Sequence, residues 1–199
     1  MMIYSSILSL LGVALALAIS AESQVDQHAV VKRSTAEDLG RKVNDALRHL
    51  HLDSTSLGLG KAGEMTLTNV QATRYTDATK HSLTSDGTRY RMQYADMEVS
   101  ADAEAKWLGL TAWIRPTKAS GPVTVLLEGI RVDISGEKGK TPVCVAKIRK
   151  ATMDVSKLEG AGASLYQEKE KVGNAGAKTQ FENEVCNEVR KVFREELNH

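Results

Sequence analysis

The chain has 199 residues, 42% of them hydrophobic and 26% charged, with a formal net charge of +1 and two cysteines. Such a length sets one or two domains, and the composition excludes a disordered chain or a membrane-helix bundle. The near-neutral balance excludes a protein that holds nucleic acid by bulk electrostatics, so no nucleic-acid partner is expected.

The N-terminal run ILSLLGVALALAI, residues 7–19, holds thirteen residues without a charge. That is short of the roughly 20 needed to cross a bilayer as a helix. Ala18-Ile19-Ser20 then places small residues at the two positions a signal peptidase reads. Residues 1–20 therefore read as a cleaved signal peptide, although MMIYSS carries no Lys or Arg, and the mature chain, starting near Ala21, as secreted and extracellular. Residues 21–33 form a polar lead-in that ends in Lys32-Arg33, a dibasic pair that reads as a solvated linker pair, the alternative being a processing site. The rest, residues 34–199, reads as one domain.

Ser34 and Glu37 have capping-box spacing, which satisfies the free backbone donors of a first helical turn. Leu39, Val43, Ala46, Leu47 and Leu50 follow on one face, with Arg41, Asn44, Asp45 and Arg48 opposite, so an amphipathic helix is predicted. His49 and His51 come next and read as solvated surface, because no cysteine or carboxylate cluster supports a metal there.

From Gly63 the hydrophobic period falls from about 3.6 to 2. Met65 and Leu67 alternate with threonines, then Tyr90, Met92 and Tyr94 with Arg89, Arg91 and Gln93. Met97, Val99, Ala101, Ala103, Ala105 and Trp107 alternate with polar residues, and the phase slip between Tyr94 and Met97 predicts a β-bulge. Val123, Val125 and Leu127 continue the pattern, followed by Ile130, Val132 and Ile134 after Gly129, and then by Cys144, Ala146 and Ile148. Turns at about 76–87, 115–121 and 136–141 separate four long strands, and such short connections specify an antiparallel meander. The chain loosens at Gly160 to Gly162 and Gly173 to Gly176 before a final helix. Phe181, Val185, Val189, Val192 and Phe193 make its apolar stripe, with Cys186 beside it.

Two cysteines in an oxidising compartment are most simply one disulfide; the alternative is two free thiols. Joined, Cys144 and Cys186 would close a loop of about 43 residues and tie the last helix to the fourth strand.

Catalytic and cofactor motifs fail on their context. Gly139-Lys140-Thr141 ends like a phosphate-binding loop, but Ile134 stands where the first glycine belongs, and a strand follows instead of a helix. Gly58, Gly60 and Gly63 fit a dinucleotide fingerprint, with the helix before and the strand after, which is the wrong order. The five histidines are scattered, and no nucleophile elbow occurs. The sequence nominates no catalytic residue, no metal site and no cofactor, and the chain reads as a binding protein instead of an enzyme.

Four stretches in this order carry a family resemblance: LGKAGEMTLTNV, GTRYRMQYADMEVSADAEAKW, LLEGIRVDISGEKGKTPVC and VCNEVRKVFREEL. Together they resemble the tubular lipid-binding superfamily, as found in the N-terminal half of bactericidal/permeability-increasing protein and lipopolysaccharide-binding protein. The likeness covers roughly residues 34–197. Among its members the chain resembles the single-barrel ones, such as mite group 7 allergens and the insect juvenile-hormone-binding and takeout proteins. It lacks the additional N-terminal disulfide usual in the insect carriers. The resemblance implies an α+β fold, a highly curved antiparallel meander wrapped around a long C-terminal helix, with an acyl-chain pocket inside and a Cys144–Cys186 disulfide.

The expected ligand is a lipid or another small hydrophobic molecule. Its lining is expected from Val43 and Leu47 on the first helix, and from Met65, Leu67, Tyr90, Met92, Tyr94, Trp107, Leu126, Ile130 and Ile148 on the strands. Phe181, Val185 and Val189 complete it from the last helix. An alternative follows from the endotoxin-binding relatives, which carry basic loops at one barrel tip. Here Lys61, Arg115, Lys118 and Lys157 would share an end, beside Glu64 and Glu159, and would meet lipopolysaccharide or an anionic microbial membrane in innate-immune recognition.

Overall fold

The computed structural model describes residues 36–58, 63–107, 117–161, 163–164 and 170–198. A first helix, α1, spans residues 36–48. Its apolar face buries Leu39, Val43 and Leu47 completely. The strands follow as β1 (His51–Gly58), β2 (Gly63–Thr76), β3 (Lys80–Leu83), β4 (Arg89–Trp107), β5 (Thr117–Ser135), β6 (Val143–Lys147) and β7 (Lys150–Asp154). The second long helix, α2, runs Glu170–Asn198.

All pairings are antiparallel, in the order β1-β2-β4-β5-β6, with β3 on β4 and β7 on β5. Because β2 and β3 both pair with β4, and β6 and β7 both with β5, each pair acts as one long strand with a step in it. The predicted turn at 76–87 is thus two features: a step at 77–79, where Ala78 is buried, and a tight turn at 84–88 beyond β3. The predicted turn at 115–121 is also revised, since Thr117 to Gly121 are already in the ladder opposite Trp107 to Ala103. Their Lys-Ala-Ser-Gly composition suggests turning, but pairing with β4 overrides it.

Strand β1 was not expected. Its residues are too polar to stand out, and only Thr55 and Leu57 are buried. It exists because β2 offers it a partner from His51↔Gln71 to Gly58↔Glu64. The predicted bulge is present: the β4–β5 register shifts on both sides of Ala95. Tyr94 has no β5 partner there and takes φ 65°, rare for a residue with a β-carbon.

The curled sheet leaves β1 and the β6–β7 line as its edges, and α2 lies along the seam between them. The Cys144–Cys186 disulfide bonds α2 to β6, with the two Cα atoms 5.7 Å apart. Edge-strand amides need acceptors. The Glu182 carboxylate accepts from the Ile148 N–H at 2.9 Å, and the Asn174 side-chain oxygen accepts from the Met153 N–H at 2.9 Å. On the β1 side, Gly176 sits so close to Gly58 that a β-carbon there would lie 2.5 Å from its carbonyl oxygen. The helix thereby replaces the missing strand with side-chain acceptors, a covalent bond and one glycine contact.

Candidate hydrophobic ligand site

The inward faces of the sheet and the stripe of α2 form one apolar interior. Val43, Leu47, Met65, Leu67, Tyr90, Met92, Ile130, Ile148, Phe181, Val185 and Val189 all point into it and are at most 1% exposed. Two expected lining residues do not. Tyr94 is 42% exposed, because the bulge inserts it as an extra residue and turns it outward. Leu126 is 39% exposed, since it lies between inward Val125 and Leu127 and period-2 alternation sends it to the outer face. Trp107 ends β4, opposite Gly63 and Thr117.

Side-chain size changes along this interior. At one end Tyr90, Met92, Ile134 and Phe193 converge with Leu39 and Leu47 of α1, all at most 1% exposed, and fill the space with bulk. The opposite half is walled by small residues. Ala105 pairs with Ala119, Ala103 with Gly121 and Ala101 with Val123, making a shallow tile across β4 and β5. The alanines of this tile are at most 7% exposed. Its β2 neighbours are Met65 opposite Ala105 and Leu67 opposite Ala103. Ala177, fully buried, is the inward residue of α2 nearest the Gly176–Gly58 contact at this end. The alternation of alanines was visible in the sequence; that they meet small partners across the ladder depends on register, which the sequence did not show.

Among the described residues, Thr55 is buried on β1 opposite Leu67, its hydroxyl 3.5 Å from the Glu184 carboxylate, and the other interior polar groups secure the bulky end. The Tyr75 hydroxyl donates to the Asn44 side-chain oxygen at 2.9 Å, and the Ala78 N–H shares that acceptor at 3.4 Å. The Tyr90 hydroxyl lies 2.7 Å from His81 Nδ1. Burial pushes both phenols above their ordinary range, so both remain protonated. Arg48–Asp77 and Lys42–Glu196, each at 2.6 Å, hold α1 to the chain after β2 and to the end of α2. These contacts dock α1 as a plug. Among the described residues, no group of three or more His, Cys, Asp or Glu could hold a metal ion.

Of the four expected tip cations, Lys61 and Arg115 lie outside the described residues. Lys118 and Lys157 are exposed and come near one another, because Ser120 bridges to Glu159 and brings the 157–160 segment alongside β5. The Lys118 ammonium lies 3.8 Å from Glu104. The described part of this end is therefore of mixed charge.

No family model matches the chain, and no curated protein matches it. Solved structures do. A crystal structure of lipopolysaccharide binding protein superposes with a TM-score of 0.51 at 14% identity, covering 85% of this chain and 38% of that one. The present chain thus spans well under half the length of that protein. Takeout 1 of Epiphyas postvittana superposes with a TM-score of 0.54 at 15% identity, covering 86% of this chain and 90% of the other. The curled antiparallel sheet closed by α2 and plugged by α1 is the fold of those two proteins.

Proposed function

We propose that the protein is a secreted carrier or sensor that holds an acyl chain or a similar hydrophobic molecule inside the half-barrel, against the alanine tile of β4 and β5. The observation that carries this reading is the contrast in the interior. One end is filled by large side chains and plugged by α1, while Ala101, Ala103, Ala105 and Ala119 present only methyl groups at the other. An apolar wall of methyl groups inside this fold suits an elongated ligand without polar recognition. Secretion is supported by the uncharged run at residues 7–19 and by the disulfide, which persists in oxidising compartments.

Native mass spectrometry of the purified protein tests the proposal. A co-purifying lipid, or uptake of a fatty acid after delipidation, is the expected result. A ligand-free protein that takes up no hydrophobic molecule would overturn it.

A further inference from the structure

The net charge of +1 conceals a strong separation of charge on the outer face of the sheet. Strand β4 shows it most plainly. Before the bulge its outward residues are Arg89, Arg91 and Gln93; after it they are Asp96, Glu98, Ser100, Asp102, Glu104 and, near the end of the strand, Lys106, which lies 3.5 Å from Glu104. The ladder extends the cationic half sideways. Lys80 on β3 pairs with Gln93, Gln93 with Arg131 on β5, and Arg131 with Lys147 on β6, so three cations lie in one row across four strands. In the next row Arg91 pairs with Asp133, and Asp133 with Val145. Asp133 is the carboxylate on these two rows and the Arg89 row. It accepts two hydrogen bonds from Arg89, at 2.7 and 2.6 Å, and one from Arg91 at 2.9 Å, so two arginines share one anion. The Arg89 hydrogen bonds, ahead of those from Arg91, hold that carboxyl below its usual range. Lys147 also reaches Glu182 of α2, at 3.8 Å.

Apolar groups are exposed within this same patch. Val143 and Val145 on β6 are 68% and 51% exposed. Tyr94, turned out by the bulge, lies between two cations: Lys80 Nζ is 5.8 Å and the Arg131 guanidinium carbon 5.0 Å from its ring centre. A soluble polyanion would neutralise the cations but would gain nothing from the valines. A lipid headgroup layer meets all three features, since phosphates pair with the cations, tyrosine favours the membrane–water interface, and short apolar side chains enter the boundary. The carboxylates beyond the bulge would be repelled by the same surface, which fixes one orientation.

We infer that the outer face of β3, β4, β5 and β6 around Tyr94 is a docking surface for an anionic lipid bilayer. This surface is distinct from the interior and from the expected tip near Lys118, and it does not depend on the half-barrel's holding a ligand.

Flotation of the full chain with phosphatidylcholine vesicles, with and without phosphatidylglycerol, tests the inference. Binding is expected only to the vesicles that contain phosphatidylglycerol, and it should weaken as salt shortens the screening length. The triple variant Lys80→Glu/Arg131→Glu/Lys147→Glu should lose at least about 100-fold in partitioning. Lys118→Glu/Lys157→Glu should retain it. Tyr94→Asn, which tolerates the positive φ, should weaken binding severalfold without altering its salt dependence. Lysine acetylation of the unmodified protein supplies a readout free of any folding defect: anionic vesicles should protect Lys80 and Lys147 and leave Lys118 reactive. Equal binding to neutral vesicles, full binding by a folded triple variant, or protection at Lys118 without protection at Lys80 would each overturn the inference. So would binding to a DNA oligonucleotide as tight as that to the vesicles.

Discussion

Replacing Ala103 with leucine distinguishes a wall that faces room from a wall that faces packed atoms. Ala103 is 4% exposed, with Leu67 beside it on β2 and Gly121 on β5. Opposite Gly121 the chain passes closely, so that a β-carbon there would lie 3.3 Å from the Leu158 Cα. Leucine adds about three carbons, and burying them in a vacant apolar space would stabilise the ligand-free protein by up to about 2 kcal/mol. The same carbons forced into filled space would cost about 1–3 kcal/mol. The sign of the change is therefore informative. Urea unfolding of delipidated protein, followed by circular dichroism, measures it. Titration with a pyrene-labelled fatty acid measures uptake in parallel. The expected result for Ala103→Leu is a gain in stability with a loss of binding capacity. Destabilisation with unchanged uptake would refute the reasoning, since it would show a packed wall and place any ligand elsewhere.

The disulfide closes a loop with a sequence separation of 42, for which chain entropy allows about 4 kcal/mol, and Cys144→Ala/Cys186→Ala should lower the melting temperature by roughly 8–16 °C in calorimetry. Asn44→Ala removes the acceptor shared by Tyr75 and Ala78 and should cost about 1–3 kcal/mol, with limited proteolysis showing early release of α1. At the 84–88 turn, the Thr84 hydroxyl, then the Thr88 N–H and hydroxyl, hold Asp86 down to about 2. A depressed carboxyl stabilises the fold above its unfolded value of 3.8, and that contribution is lost as pH falls toward 2. The protection factor of the Thr88 amide, taken against its intrinsic exchange rate at each pH, should therefore fall across that window, and Asp86→Ala should abolish that fall.

Much of the fold was legible because each signal was local. The face of Leu39, Val43 and Leu47 specifies α1, the stripe from Phe181 to Phe193 specifies α2, and period-2 alternation marks β2, β4, β5 and β6. The phase slip at Tyr94 even marked the bulge, though not its consequence. A bulge adds one residue, and which residue leaves the ladder is decided by the partner strand; Tyr94 was therefore expected inside and is found outside. Strand β1 was hidden because an edge strand that buries only Thr55 and Leu57 carries almost no hydrophobic pattern.

Composition and periodicity by themselves determined which residues turn away from water, because that depends on spacing of 2 or 3.6 along a single segment. Only the tertiary structure decided what those faces meet. Cross-strand register sets alanine against alanine at positions 105 and 119, and places Lys80, Arg131 and Lys147 in one row although the first and last are 67 residues apart in sequence. Register is a relation between segments, fixed by turns, bulges and the helix across the seam, and so it appears in no segment read alone.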